Sequence, residues 1–271
     1  ELWDVTSSPP RRITVLVGVV RACFGPAGRT IYAALRGGGI AKISADDGAE
    51  GPTAGEQFPC TDLGVCPTGH VVGIGRRGLV TLLPGGGLRF TKITTDGNLP
   101  PILAVDPRGP FVAVRGAGGL QALVVDVARG VIRTECAPGA EPIRALGFGP
   151  RSQWLWSLSG PASTPNQNRA TFYSAVTGQR RVRSGPGVRA VAISFTGQVA
   201  LAGAEYLPTE RTPRGVATLA QLPKPDATDG TPEQLAVTSR LRGARTPLTS
   251  VAFLGADRLV TADEAGELRF W

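Results

Sequence analysis

Only one imidazole occurs in the 271 residues, His70, so a Ser-His-Asp or Cys-His nucleophile would have to be activated by it. His70 follows Pro67-Thr68-Gly69 and opens a strand-like run, where equivalent segments carry Arg29, Pro110 or Gln198; it reads first as a turn residue, with a catalytic base as the alternative. Gly73-Ile74-Gly75-Arg76-Arg77-Gly78 spells a dinucleotide fingerprint, whose glycines act by seating a pyrophosphate on a helix N-terminus. Here Leu79 to Leu83 continues as a strand, so a turn between two strands is expected instead. Cys23, Cys60, Cys66 and Cys136 contain no C-x-x-C, and with one histidine they make a zinc site only at unusual spacing. They are expected to be buried free thiols, Cys136 being the most open. Asp46, Asp47, Asp96, Asp126 and Asp263 fall near turns, where their side chains cap the backbone. These patterns assign no catalytic residue, no metal site and no cofactor.

Net charge is +8, which favours an acidic partner if it is focused on one face. The arginine pairs Arg11-Arg12, Arg76-Arg77 and Arg180-Arg181 are instead spread along the chain. Arg180-Arg181-Val182-Arg183 reads as a charged outer strand that discourages edge pairing, with an anion-binding stripe as the alternative. No aromatics are interleaved to stack on bases, so nucleic-acid binding is disfavoured. Methionine is absent, lysine occurs only as Lys42, Lys92 and Lys224, and asparagine only as Asn98, Asn166 and Asn168, as a GC-rich bacterial coding sequence would produce. The chain opens on Glu1, and it is expected to be cut from a longer one. Its longest apolar run, Ile13 to Val20, is far shorter than the ~18 residues of a membrane span, so no membrane association is expected and a cytoplasmic location is favoured.

The elements that would position these residues are short. With 37 Gly and 23 Pro, helices would be interrupted at ~1 to 3 kcal/mol each, while 42% hydrophobic residues supply a core. Turn anchors recur at Phe24-Gly25-Pro26, Val65-Cys66-Pro67, Val105-Asp106-Pro107, Phe148-Gly149-Pro150 and Ile193-Ser194-Phe195, and a last, altered one falls at Gly255. Their steps of 41, 40, 43, 45 and 60 residues, with period-two strands between, predict an all-β β-propeller of four-stranded antiparallel blades. The predicted blades are 1–18 (partial), 19–60, 61–100, 101–140, 141–187, 188–246 and 247–271 (partial). That makes 25 strands, one more than six full blades hold; about six blades are expected, as a six-bladed ring or a truncated seven-bladed one. Leu207 to Arg214, Pro223 to Glu233 and the shorter Gly160 to Arg169 read as surface-loop insertions.

The pattern resembles the WD-repeat family over nearly the whole chain. Leu2-Trp3-Asp4-Val5 carries the Trp-Asp pair, Leu268-Arg269-Phe270-Trp271 matches up to the Trp, and Val124-Val125-Asp126 has Val for Trp. The family's Gly-His pair is missing, since Gly243 is followed by Ala244. Blades are therefore expected to hold by apolar packing, without the family's His-to-Asp network.

The resemblance implies recognition of protein partners by the loops that enter the innermost strands. Alignment on the turn anchors places Val20, Thr61, Pro101, Arg144, Arg189 and Thr249 at one equivalent entry position, with Arg21 one step on. Arg21, Arg144, Arg189 and Thr249 are the candidate partner-binding residues, the arginines being suited to carboxylates. The expectation is a non-enzymatic interaction scaffold or sensor module fused to another domain, such as a protein kinase, in the full-length chain. A propeller enzyme, either a lactonase or a quinoprotein-like dehydrogenase, is the alternative, although Asp62 is the only acid next to these positions.

Overall fold

The computed structural model describes all residues except 7, 95–98, 137–138, 162, 206–211, 224–232 and 256–257. The chain divides into two compact units, Glu1–Gly119 with Leu123–Arg133, and Leu120–Ala122 with Thr134–Trp271. Among the described residues the regular structure is β-strand, apart from two single 3-10 turns, Ala117–Gly119 and Pro165–Gln167, and no helix is long and apolar enough to cross a membrane.

In the first unit, β1 (Leu2–Asp4) and β2 (Arg11–Thr14) pair antiparallel. A four-stranded sheet follows, of β3 (Val19–Phe24), β4 (Thr30–Leu35), β5 (Ile40–Ser44) and β6 (Glu50–Ala54). The next holds β7 (Asp62–Val65), β8 (Val71–Gly75), β9 (Gly78–Leu82) and β10 (Leu88–Thr91). A third contains β11 (Leu103–Val105), β12 (Phe111–Arg115), β13 (Ala122–Asp126) and β14 (Val131–Glu135), its last two strands crossing the division between the units.

The second unit continues with β15 (Ile143–Phe148), β16 (Trp154–Ser159), β17 (Arg169–Ser174) and β18 (Arg180–Arg183) in one sheet. Then come β19 (Val188–Ile193), β20 (Gln198–Glu205), β21 (Arg214–Gln221), β22 (Glu233–Gln234) and β23 (Ala236–Ala244). A three-stranded sheet, β24 (Leu248–Leu254), β25 (Arg258–Asp263) and β26 (Leu268–Phe270), ends the chain. Strands meander in chain order with one exception. The short β22 leaves its neighbours and pairs in parallel with the outer strand β18, Val182 opposite Glu233. The Arg180–Arg183 edge is therefore covered in part by the chain itself. Among the described residues β22 is a strand beyond the 25 expected. Most of the insertions Leu207 to Arg214 and Pro223 to Glu233 lies outside the described residues.

Period-two alternation explains why these sheets stack. Along β8 and β9, Val71 and Val80 join one apolar cluster with Ala34, Ile40 and Leu63, while Val72, Ile74 and Leu79 join another with Val112, Val114 and Val125. Along β20, Val199 and Leu201 face the cluster of Trp154, Phe172 and Val182, and Ala200 and Ala202 face that of Leu248 and Leu259. Each middle strand is thus buried on both faces, which is why β8 is buried along its whole length. A side chain such as Phe172, with 0% exposed, contributes about 1.5–3 kcal/mol by leaving water.

Apolar clusters lie between the sheets as expected, and two buried hydrogen bonds add to them. Trp271 Nε1 donates to Thr261 Oγ1 at 3.1 Å, and Ser157 Oγ lies 3.4 Å from Tyr173 Oη. In both sheets an aromatic in or just after the third strand satisfies a second-strand hydroxyl that is 1% exposed. Without that partner the buried hydroxyl would be a net cost.

Candidate functional site

The turn anchors form the hairpins between first and second strands. The amide just past the inner strand bonds back across the turn in each: Gly25 to Thr30, Cys66 to His70, Asp106 to Phe111, Gly149 to Trp154 and Ser194 to Gln198. His70 belongs to one of these turns, with Nδ1 2.9 Å from Thr68 Oγ1, and partial burial with nearby Arg89 lowers its pKa. The carboxylates do what turn carboxylates do. Asp47 accepts from the Ala49 amide, Asp126 from Arg129, Asp106 from Arg108, and Asp263 from both Ala265 and Glu267. Asp96 lies outside the described residues. All four cysteines are free thiols. Burial pushes Cys23 and Cys60 up to about 11 and Cys66 and Cys136 up to about 12, so all are neutral near pH 7. Cys136, expected to be the most open, is 0% exposed: its amide bonds Ala122 across the sheet, and its side chain turns inward. Among the described residues no group of three His, Cys, Asp or Glu is placed to hold a metal ion.

Four of the six aligned entry positions share one backbone feature. In β3, β15, β19 and β24 the register slips by one residue: Val19 faces Leu35 and Arg21 faces Ala34; Ile143 faces Ser159 and Ala145 faces Leu158. Likewise Val188 faces Gly203 and Ala190 faces Ala202, while Leu248 faces Asp263 and Ser250 faces Ala262. The residues left over are Val20, Arg144, Arg189 and Thr249. Each is a β-bulge, one extra residue that bends an inner strand at its entry end and re-aims its own side chain. Thr61 sits at the same end of β7, and its hydroxyl bonds Ile74 O at 3.3 Å as that of Thr249 bonds Ala262 O at 3.3 Å. Pro101 precedes β11 and is half-buried.

The arginines at this end are engaged within their own units. Arg21 Nε lies 3.3 Å from Asp62 Oδ1, and Asp62 Oδ2 accepts from the Leu103 amide at 3.4 Å, so one carboxylate ties β3, β7 and β11. In the second unit Arg189, with 14% of its side chain exposed, pairs with Glu264 and donates to Asn166 Oδ1 at 3.1 Å. Arg144 Nε donates to Gly160 O at 3.1 Å. Both therefore hold the segment between β16 and β17. That insertion lies between strands as expected, with Ser163 and Gln167 exposed, but it is tied at both ends: Asn168 O accepts from the Val188 amide, Gly160 N bonds Pro142 O, and Asn168 is 8% exposed. In the first unit Val20 remains an exposed bulge residue at 44%, next in sequence to Arg21 with 63% of its side chain exposed, and in the second unit Thr249 is likewise an exposed bulge residue.

The fingerprint-like glycines occupy the β8–β9 hairpin, and each has a steric reason. A Cβ on Gly73 would fall on Cys60 Sγ, one on Gly75 on the Pro59 carbonyl oxygen, and Gly78 has φ +131 with Thr91 O 2.5 Å from where its Cβ would stand. Gly73 and Gly75 let the connection from β6 to β7 lie close on the hairpin, and Gly78 does the same for residues 91–93 at the end of β10. No helix follows, so the dinucleotide chemistry has no place to act.

No family model matches the sequence, and no curated protein matches it. Solved structures do match in shape. The computationally designed Ika8 protein superposes with a TM-score of 0.63 at 15% identity, over 94% of this chain and 70% of that one. The WD40 domain of Neurospora crassa Pan2 gives 0.59 at 11%, over 93% and 74%. Kuenenia stuttgartiensis hydrazine synthase gives 0.59 at 12%, over 96% and 78%. The fold of this chain is thus that of a β-propeller built from antiparallel blades.

Proposed function

We propose that this β-propeller is a degenerate WD-repeat module that acts as a protein-interaction scaffold or sensor within a larger protein and has no catalysis of its own. The observation that carries this reading is the bulge repeated at the entry ends of β3, β15, β19 and β24. A bulge spends one residue per strand on aiming a side chain instead of on pairing, a device over-represented at sheet edges, at barrel rims and beside functional sites including active sites. Arg144 and Arg189 serve by fixing the β16–β17 insertion, while Val20, Arg21 and Thr249 face solvent as contacts. Rigid blades hold these positions before a partner arrives, which lowers the entropy cost of binding.

The test is affinity capture from a lysate of the source organism, with the wild type beside a Val20→Glu, Arg21→Glu, Thr249→Glu variant whose circular dichroism and melting match. Partners captured by the wild type and lost from the variant support the assignment. Capture unchanged by all three substitutions overturns it.

A further inference from the structure

The outer strand of the β15–β18 sheet reads Arg180, Arg181, Val182, Arg183, and the chain lays a strand of its own along that edge. β22 runs parallel to β18, opposite Val182 and Arg183 only, and the Leu235 amide just past it donates to Arg183 O at 3.3 Å. Leu235 and Val182 are both buried in the cluster around Phe172, so the apolar side of the edge is sealed. The basic side is left unmatched. Against β17 the register of β18 slips between Val182 and Arg180, which makes Arg181 a bulge residue. Arg181 and Arg183 each hold an Nε–H out of water with no acceptor, and among the described residues no carboxylate pairs with Arg180, Arg181 or Arg183.

We infer that the edge of β18 is a docking site for an acidic, extended segment of a protein partner, which adds as a parallel strand in the place β22 holds. The edge accepts a strand in that direction, as β22 demonstrates, and β22 opposes only half of β18, so a longer strand gains pairing that the chain's own does not. In strand addition the main-chain bonds give affinity and alternate side chains give specificity. Here the positions beside Arg181 and Arg183 call for carboxylates, which match planar guanidinium in bidentate fashion and supply the acceptors those Nε groups lack. Positions between them continue the face of Val182 and call for apolar residues. A net charge of +8 draws an acidic segment toward the chain before it docks. None of this uses the entry-end residues, so the two surfaces are tested separately.

Fluorescence anisotropy of a labelled eight-residue peptide of alternating Glu and Val, titrated with the whole chain, tests this. Saturable 1:1 binding is expected, at least tenfold tighter than that of the Lys-Val counterpart or of the fully N-methylated Glu-Val peptide, which keeps its charge and loses its amide donors. An Arg180→Gln, Arg181→Gln, Arg183→Gln variant with the circular dichroism of the wild type should bind at least tenfold more weakly. Saturating peptide should also speed hydrogen exchange of the Leu235 amide at least tenfold in the wild type, because the peptide takes its acceptor. No saturable binding at millimolar concentration overturns the inference. Equal affinity for the Lys-Val or the N-methylated peptide, or a Leu235 amide that stays protected, does so as well. A dimer of the chain that the peptide leaves intact and the triple variant abolishes would make a second copy the occupant, and it too overturns the inference.

Discussion

Replacing Gly75 by alanine tests the close approach that shapes the β8–β9 hairpin. The added Cβ would land on the carbonyl oxygen of Pro59, a backbone atom that cannot rotate away, with the Pro59 carbonyl carbon 3.3 Å from it and Cys60 Cα 3.8 Å. The connection must therefore move as a piece, and overpacking of this kind costs about 1–3 kcal/mol. Against that stands about 0.4–1 kcal/mol from stiffening the unfolded chain. Gly37→Ala receives the same entropic gain with nothing within 4 Å of its Cβ, and its φ lies outside the left-handed region. Gly75→Ala is expected to be destabilised and Gly37→Ala slightly stabilised, the two separated by about 1–3 kcal/mol. Urea unfolding followed by far-ultraviolet circular dichroism measures the gap, with the m-value checked for constancy. If Gly75→Ala proves as stable as Gly37→Ala, the steric account of the glycine motif is wrong.

Phe172→Ala, at the centre of the second unit's larger cluster, should cost about 3–5 kcal/mol in the same unfolding assay. Arg189→Leu keeps the bulge but removes the link to Glu264 and Asn166, so amide hydrogen exchange at Thr164 and Gln167, whose N–H groups bond within that insertion, should accelerate at least about tenfold, with a stability loss of about 1–3 kcal/mol. Cys66 and Cys136 should resist a disulfide reagent at pH 8 in the folded protein and react fully once urea unfolds it. Their folded pKa values stand above the unfolded value of 9.0, so the thiols ionise more readily in the unfolded chain. Urea midpoints should therefore be unaffected by these thiols below pH about 9 and fall as pH rises toward 12.

Much of the architecture could be read from spacing alone, because a blade must turn after each strand and the turns demand particular residues. Gly25, Cys66, Asp106, Gly149 and Ser194 repeat one hairpin bond, and that repetition is what made the anchors visible. The same alignment picked out Val20, Arg144, Arg189 and Thr249 as equivalent, although nothing in their types shows that they are bulged. A one-residue slip leaves the apolar alternation on either side looking intact, so the kink is invisible until the register is known. The polar, proline-containing composition of the β16–β17 insertion is that of a loop; the bonds that tie Gly160, Asn166 and Asn168 come from Arg144, Arg189 and Val188, which lie elsewhere in the chain. The close approach of Pro59 and Cys60 to the β8–β9 hairpin does have a signal in the sequence, the crowding of glycines from Gly73 to Gly78, which announces that something lies close against the backbone.

The bulge has one more consequence, for how such a chain can change. On its strand-entry side the neighbouring residue is aliphatic in all four copies: Val19, Ile143, Val188 and Leu248. The bulged residue itself is Val, Arg, Arg and Thr. The ladder reads the first position and leaves the second to other uses, because a residue outside the ladder neither faces a cross-strand neighbour nor sets the register. At Val20 and Thr249 that second position is an exposed slot open to rewriting, whereas at Arg144 and Arg189 it has been given the work of tying down the β16–β17 insertion.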